Sequence, residues 1–513
     1  MSIPALTPDP AVLEAVNGVI VPGFFGTELP PWLAAALEEG LAGVVYFGQN
    51  ISADTAALSA SVRAHRSNAL LAIDEEGGTV TRLEAVSGST IPGPAQLGRV
   101  NDVGLSTAAG AAIAARARAA GVNLVLGPVA DVNTNPANPV IGVRSFGAEA
   151  PAVAVHAAAT VRGIQASGDV AACAKHFPGH GDTHSDSHLS LPELDLGTAE
   201  IEAVHFEPFR AAIDAGVRTI MTAHIRVPEW GQAPATLNPL ILGKLRALGF
   251  EGVIITDALD MAVIRESVGA GPGAVAAIRA GADLLCIGNP RTNPGTTGKP
   301  DADYSDYLEV RDALLAAVAS DELDLDLLRR AAARVRSLAD ALEAARSLSG
   351  PPTSGPVAGS GLNTEPEPDW AAEVAPGMEI QGSPARHGSR VSLLDLRARA
   401  TIAVASESDA FRRAFAERRK LDPAVSAAAL PDSLGQAATD TDVVVLVDRI
   451  GVPGSQREAL EQIGAVRPDA VVVNVGVVPG TGYECRLDRI DALADSALSA
   501  GIVARLICAE GTA

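Results

Sequence analysis

From residue 18 onward the chain repeats one pattern. An apolar, β-branched run ends in a polar or glycine-bearing loop, and an Ala/Leu-rich segment of helical character follows. The pattern predicts strands at 18–21, 44–47, 70–74, 123–126, 170–175, 219–222, 253–256 and 284–287. It predicts helices at 31–39, 56–64, 150–165, 239–248 and 274–280. Eight such units in about 300 residues match the size of a (β/α)8 TIM-type barrel. Counting alone also allows an open doubly wound sheet. The barrel is preferred because polar residues crowd the C-terminal ends of many different strands. Two charged amphipathic helices within 305–346 then close the unit, giving a barrel over 1–346.

Composition changes at Ser347. A Pro/Gly/Ser-rich tract over 347–388 predicts an extended linker. Beyond it, apolar runs at 401–406, 443–447, 470–475 and 504–509 alternate with helix-like segments. They predict a smaller C-terminal α/β layered-sheet domain over 389–513. Its glycine-bearing stretch from Gly476 to Gly482 ends in Pro and Gly and opens no helix, so it is no phosphate-binding fingerprint.

The length of 513 residues agrees with more than one core. A formal charge of −22 and only 3% aromatic residues argue against nucleic acid, whose phosphates would be repelled and whose bases would find few stacking partners. Cys173, Cys286, Cys485 and Cys508 show no paired spacing and predict reduced thiols. The first residues carry neither a basic nor an apolar leader, and no apolar run reaches the length of a membrane span, which predicts a cytoplasmic protein.

Candidate chemistry gathers in four loops after strands. The densest, Lys175 to His188, places one Lys, four His and two Asp in a chain with nine His in all. His176, His180, His184 and His188 recur every four residues, as on a helix face, but Pro178, Gly179 and Gly181 break any continuous helix there. An active-site loop fits better than a metal ladder. A second loop, Asp74-Glu75-Glu76-Gly77-Gly78, sets three carboxylates at a strand end with Arg82 beyond. A third carries Arg144 downstream of Asp131 and Asn133, and in a fourth Asp257 ends a buried strand. Carboxylates beside Lys and Arg donors suit a polyhydroxylated ligand, because each sugar hydroxyl needs both an acceptor and a donor.

Together, Asp74-Glu75-Glu76-Gly77-Gly78, Gly142-Val143-Arg144-Ser145-Phe146, the Lys175–His188 stretch and Thr256-Asp257-Ala258-Leu259 resemble glycoside hydrolase family 3. Lys-His-Phe-Pro-Gly-His-Gly followed by Asp-Ser-His is similar to its β-N-acetylglucosaminidase branch. The resemblance covers about residues 10 to 345 and reaches 388–513 only in general architecture. It implies a retaining exo-β-N-acetylglucosaminidase acting on muropeptides or chitin fragments. Asp257 would be the nucleophile and His188 the acid/base, hydrogen-bonded to Asp186, with Asp74, Arg82, Arg144, Lys175 and His176 binding sugar. No cofactor and no metal is implied.

Alternatives stand beside this reading. Asp257 could be a helix N-cap before Ala258. His180 reads as a structural hydrogen-bonding residue, His184 takes no role, and no spacing rule supports a zinc site from His180, Asp182, His184 and Asp186. His224 is expected on the pocket floor, Asp283 and Cys286 in packing; Asp260 and Glu75 have no distinct role. Transfer to inorganic phosphate is an alternative to hydrolysis, since a neutral His repels a phosphate dianion less than a carboxylate does. A sugar-binding barrel without catalysis would lack the nucleophile or the acid/base, and both positions are filled.

Overall fold

A computed structural model describes residues 9–184, 191–291, 299–349, 367–398, 408–422, 441–478 and 485–508. Eight parallel strands form the first unit: β1 (Ile20–Pro22), β2 (Gly43–Tyr46), β3 (Leu70–Ile73), β4 (Leu124–Val125), β5 (Ala171–Phe177), β6 (Thr219–Thr222), β7 (Val253–Thr256) and β8 (Leu285–Gly288). Ladders join β2 through β7 in order, and β1 pairs with β8. A bridge between Ile255 and Leu284 links β7 to the start of β8, and the Ala42 N–H donates to the Asn17 carbonyl at 3.0 Å between β1 and β2. The strands therefore run in chain order around a ring, as expected for the barrel and not for a doubly wound sheet.

The apolar runs explain the ring physically. Alternate residues along a strand point to opposite faces, so a strand buried on both faces must be apolar throughout. Val21, Val45, Leu70, Ala72, Cys173, Met221 and Ile255 fill the interior, together with Val335, Leu338 and Leu342 of the helix Leu325–Ser349. Ile20, Val44, Leu71, Ile73, Ala172, Ile220 and Ile254 instead pack in the outer core with the surrounding helices. Helix Leu325–Ser349 thus plugs the barrel, and with Ala302–Ala319 it supplies the two charged helices expected there.

A six-stranded sheet forms the second core, from β9 (Glu379–Gln381), β10 (Arg390–Asp395), β11 (Lys420–Leu421), β12 (Thr441–Val447), β13 (Val471–Asn474) and β14 (Asp488–Asp491). Its order is β9-β14-β13-β12-β10-β11, with only β9 antiparallel to its neighbour. Two expectations need correction. The predicted strand 504–509 is the end of a helix, Ala497–Ile507: Ala500, Val503, Ala504 and Ile507 bury one helical stripe, and the Ser496 side chain caps the Ser499 N–H at 3.1 Å. The linker 347–388 is not extended throughout. Residues 370–374 form a helix whose Trp370 packs into the barrel core, and β9 follows. The predicted strand 401–406 lies outside the described residues. No helix among those described is long and apolar enough to cross a membrane.

Barrel and second sheet meet through buried polar groups. Gln96 Nε2 donates to the Ala492 carbonyl and to Ser499 Oγ, each at 3.0 Å, while its Oε1 accepts from the Gly93 N–H at 3.0 Å. The Asp495 N–H donates to Thr79 Oγ1 at 3.1 Å, and the Leu498 N–H to the Ser89 carbonyl at 3.1 Å. Replacing Gln96 by Ala leaves the buried Gly93 N–H without its acceptor and the Ala492 carbonyl with only the longer bond from Ser499 Oγ, at 3.4 Å. Gln96→Ala should lower stability by about 1–3 kcal/mol, read as a lower urea midpoint; an unchanged midpoint would show that water replaces the amide without loss.

Candidate active site

The site stands where β3, β5, β7 and the loop after β4 deliver their last residues. β5 runs on to Lys175, His176 and Phe177 because the strand-like stretch after β4 keeps pairing with it. The Lys175 N–H donates to the Pro128 carbonyl at 3.1 Å, and the Ala130 N–H to the Lys175 carbonyl at 2.6 Å. That extension brings Asp131 beside His176. Asp131 Oδ2 accepts from His176 Nδ1 at 2.7 Å, and Oδ1 accepts the N–H groups of His176 at 3.1 Å and His180 at 2.7 Å. A carboxylate only accepts, so His176 carries its proton on Nδ1 and turns Nε2 toward Arg144 Nη2, 3.5 Å away.

Lys175 is 2% exposed. Its Nζ lies 2.8 Å from Asp74 Oδ1 and 2.7 Å from Glu76 Oε1. Arg144 grips Glu76 with both ends of its fork, Nε to Oε2 at 2.9 Å and Nη2 to Oε1 at 2.8 Å. Arg82 Nη2 reaches Asp74 Oδ2 at 3.5 Å. All five expected sugar-binding residues, Asp74, Arg82, Arg144, Lys175 and His176, therefore join one network. Glu76 and Asp131, to which the sequence reading gave no role, are its inner partners. Both were visible as acids near strand ends; which cation each would meet was not.

Asp257 follows β7 and remains half-exposed. Its N–H donates to the Thr222 carbonyl at 3.2 Å, and its Oδ1 accepts the Ala258 N–H at 2.8 Å. The next helix begins only at Ala262, so the N-cap alternative falls. His224 is fully buried, with Nε2 2.9 Å from the Ala258 carbonyl and Nδ1 2.9 Å from Thr236 Oγ1. It braces the turn behind Asp257. Asp186 and His188 lie outside the described residues. Of their neighbours, His180 Nδ1 meets Thr183 Oγ1 at 2.8 Å, Asp182 accepts from Thr134 at 2.7 Å, and His184 faces Asn135 at 3.0 Å. Among the described residues three separate partners hold these side chains, and no group of His, Cys, Asp or Glu converges as a zinc ion needs.

Residues 32–338 match the family model described as the glycosyl hydrolase family 3 N-terminal domain. The chain belongs to glycosyl hydrolase family 3. A beta-hexosaminidase of Neisseria meningitidis serogroup C (strain 053442) is 35% identical over 266 residues, covering 49% of this chain and 73% of that protein. Beta-hexosaminidase A of Pseudoalteromonas piscicida is 33% identical over 290 residues, and the match spans 51% of this chain and 48% of that relative. The chain thus spans about half the length of that second protein. Among solved structures, a glycoside hydrolase family 3 beta-N-acetylglucosaminidase from Paenibacillus sp. str. FPU-7 superposes with a TM-score of 0.79 at 27% identity, over 98% of this chain and 97% of that one.

Charge in this family 3 chain is set by burial against pairing. Burial alone would raise the Asp74 carboxyl, but Lys175 and Arg82 hold it below its ordinary range. Burial would also raise Glu76, which Arg144 and Lys175 hold far lower. For Asp131 burial is again overcome, here by His176. Burial pushes His180 down to about 4, so it is neutral at pH 7. Cys286, in the barrel interior, is held well above its ordinary value by burial and by the carboxylates of Asp257, Asp260 and Asp74.

Glu75 has the opposite balance. It is fully buried, and burial pushes its carboxyl up to about 7 against hydrogen bonds from Thr81 and the N–H groups of Leu83 and Arg82. Its ordinary value is 4.5. Between about pH 4.5 and 7 the folded chain holds a proton that the unfolded chain has lost, so stability falls as pH rises through this window. Glu75→Gln, which cannot titrate, should flatten that decline in a series of urea melts; an unaltered slope would assign it to another group.

Proposed function

We propose that the chain is an exo-acting, retaining β-N-acetylglucosaminidase that releases terminal GlcNAc from muropeptides or chitin fragments. The observation that carries this reading is that Asp257 and the paired Asp74 and Lys175 stand at the C-terminal ends of three strands of one barrel, β7, β3 and β5. Carboxylate and ammonium there can accept from and donate to adjacent sugar hydroxyls, with Arg82 adding further donors. The names of the hexosaminidase relatives and of the Paenibacillus neighbour support an N-acetylated sugar.

In the mechanism proposed, Asp257 attacks the anomeric carbon while the bond to the leaving oxygen breaks, and His188 gives that oxygen its proton. A covalent glycosyl-enzyme results. His188, now neutral, takes a proton from water as that water displaces Asp257, and the anomeric configuration is retained after two inversions. Asp186 would hold the His188 tautomer and stabilise the imidazolium. Asp131 holds the His176 ring in the same way, accepting from Nδ1 and turning Nε2 toward Arg144.

Asp257→Ala should lower turnover of an aryl β-GlcNAc by roughly a thousandfold or more. Near-normal activity would sink the nucleophile assignment. His188→Ala should slow substrates with poor leaving groups more than activated aryl ones; equal losses would deny it the acid role. Product analysis on a GlcNAc–MurNAc disaccharide should give free GlcNAc with and without phosphate, whereas a sugar 1-phosphate would make the enzyme a phosphorylase.

A further inference from the structure

At the other end of the barrel lies a hollow of about 380 Å³. Gly18 and Ala42, which line it, precede β1 and β2, so it opens at the N-terminal ends of strands whose C-terminal ends carry Asp74, Lys175 and Asp257. The helix Pro10–Asn17 gives one wall and the helix Leu325–Ser349 another, and Arg66, the residue after the helix Thr55–His65, completes the lining. Ala15, Ala42, Ala332, Val335 and Ala339 make its floor apolar and short-chained. Val335 and Ala339 belong also to the packing inside the barrel, so the barrel core fixes this floor. The volume is more than twice the roughly 150 Å³ that holds a benzene, and a ring with a charged head fits.

The charged lining is cationic in a chain whose net charge is −22. Three guanidinium groups, on Arg66, Arg329 and Arg336, stand against the single carboxylate of Glu14, an excess of two positive charges. A phosphate monoester carries two negative charges above its second pKa of about 6. The pairs already present are loose. Arg336 Nη1 lies 3.8 Å from Glu14 Oε1, and Arg329 turns to the exposed Asp326 at 3.4 Å. Asp340, whose charge also acts on Arg66, accepts from Asn68 Nδ2 at 2.6 Å. Arg66 is left short: its Nε is buried with no acceptor among the described residues. Its backbone is held, the N–H by the Val62 carbonyl and the carbonyl by the Ala69 N–H, each at 3.1 Å. Burial draws its guanidinium below the ordinary value, with Glu14 opposing. A buried N–H without an acceptor is costly, and a guanidinium on a fixed backbone can meet two phosphate oxygens at once.

We propose that this hollow is a binding site for an organic phosphate monoester, its phosphate paired with Arg66 and Arg336 and its apolar body laid on the alanine floor. The site is separate from the sugar clamp and does not depend on the glycosidase reading. The phosphate gives Arg66 Nε the acceptor it lacks and offsets the positive excess. A carboxylate on the same body brings one negative charge where the lining calls for two. Inorganic phosphate brings the charge but leaves the apolar floor to water.

The test is calorimetry on the full chain with phenyl phosphate as the probe, beside inorganic phosphate, benzoate and phenol. Phenyl phosphate should bind about tenfold or more tighter than inorganic phosphate or benzoate, and phenol should give no heat of binding. Arg66→Ala should weaken phenyl phosphate by about tenfold or more. Ala333→Glu, which sets a carboxylate at an exposed position of the same lining, should do the same, and it decides the matter should Arg66→Ala not fold. Saturating GlcNAc should leave the Kd unchanged, since the sugar clamp stands at the opposite end of the strands. The proposal is overturned by an absence of binding, by equal affinity for phenyl and inorganic phosphate, by a Kd that neither substitution moves, or by displacement with GlcNAc. Turnover of an aryl β-GlcNAc on the same samples reads the glycosidase proposal separately: a chain that binds phenyl phosphate as expected but turns over no such substrate would sink that reading and not this one.

Discussion

A lysine ammonium out of water at the end of β5 can remain charged only if carboxylates come with it, and those carboxylates need cations of their own. Lys175 meets Asp74 and Glu76; Glu76 needs Arg144, Asp74 draws in Arg82, and Arg144 approaches His176, which Asp131 holds. The carboxylates of Asp74, Glu76 and Asp131 thus stand among the cations of Lys175, Arg82 and Arg144. Removing any one would leave a buried charge unmatched, so the loop after β3, the loop after β4 and the end of β5 fold as one electrostatic unit. This dependence orders the barrel mouth more than any single contact does.

Such a network is also suited to binding sugar. Its members are held by strand ends and by one another, so their lone pairs and N–H groups point in set directions before a ligand arrives. Asp74 and Arg82 lie at the network's outer edge and keep some exposure, whereas Glu76 and Asp131 are sealed inside. The outer pair can trade water for hydroxyls; the inner pair keeps the outer one charged. Asp257 differs in kind. Its Oδ1 accepts the Ala258 N–H, and His224 braces the turn from behind.

The barrel was legible because parallel strands buried on both faces leave long apolar runs, and the loops after them collect what cannot be buried. The same signal misled at 504–509, where an apolar run on its own does not separate strand from helix; Ser496, an N-cap, carried the distinction. Within 347–388 the Pro/Gly/Ser-rich composition hid Trp370, a large apolar side chain that finds the barrel core. At the site, the family resemblance singled out Asp74, Arg82, Arg144, Lys175 and His176 at strand-end loops, and the structure brings these five into one network. The roles of Glu76 and Asp131 did not follow, because they depend on which strands become neighbours. Asp131 meets His176 only through the backbone pairing that continues past β4.

That neighbour dependence extends to the second sheet. The segment 75–93 leaves β3, carries Arg82, and returns to the barrel at Gly93. Its outer side is held from across the seam: Asp495 donates to Thr79, Leu498 to Ser89, and Arg413 to the Val86 and Ser87 carbonyls at 2.9 and 2.6 Å. At Gly78, φ is +58° and a Cβ would come within 2.5 Å of the Gly93 backbone, so the segment closes on itself at a point only glycine permits. Arg82 is therefore positioned by a loop gripped at its neck by the barrel and along its flank by the second sheet. Because Arg82 helps keep Asp74 ionised, the second sheet acts on the Asp74–Lys175 pair through this segment without touching it.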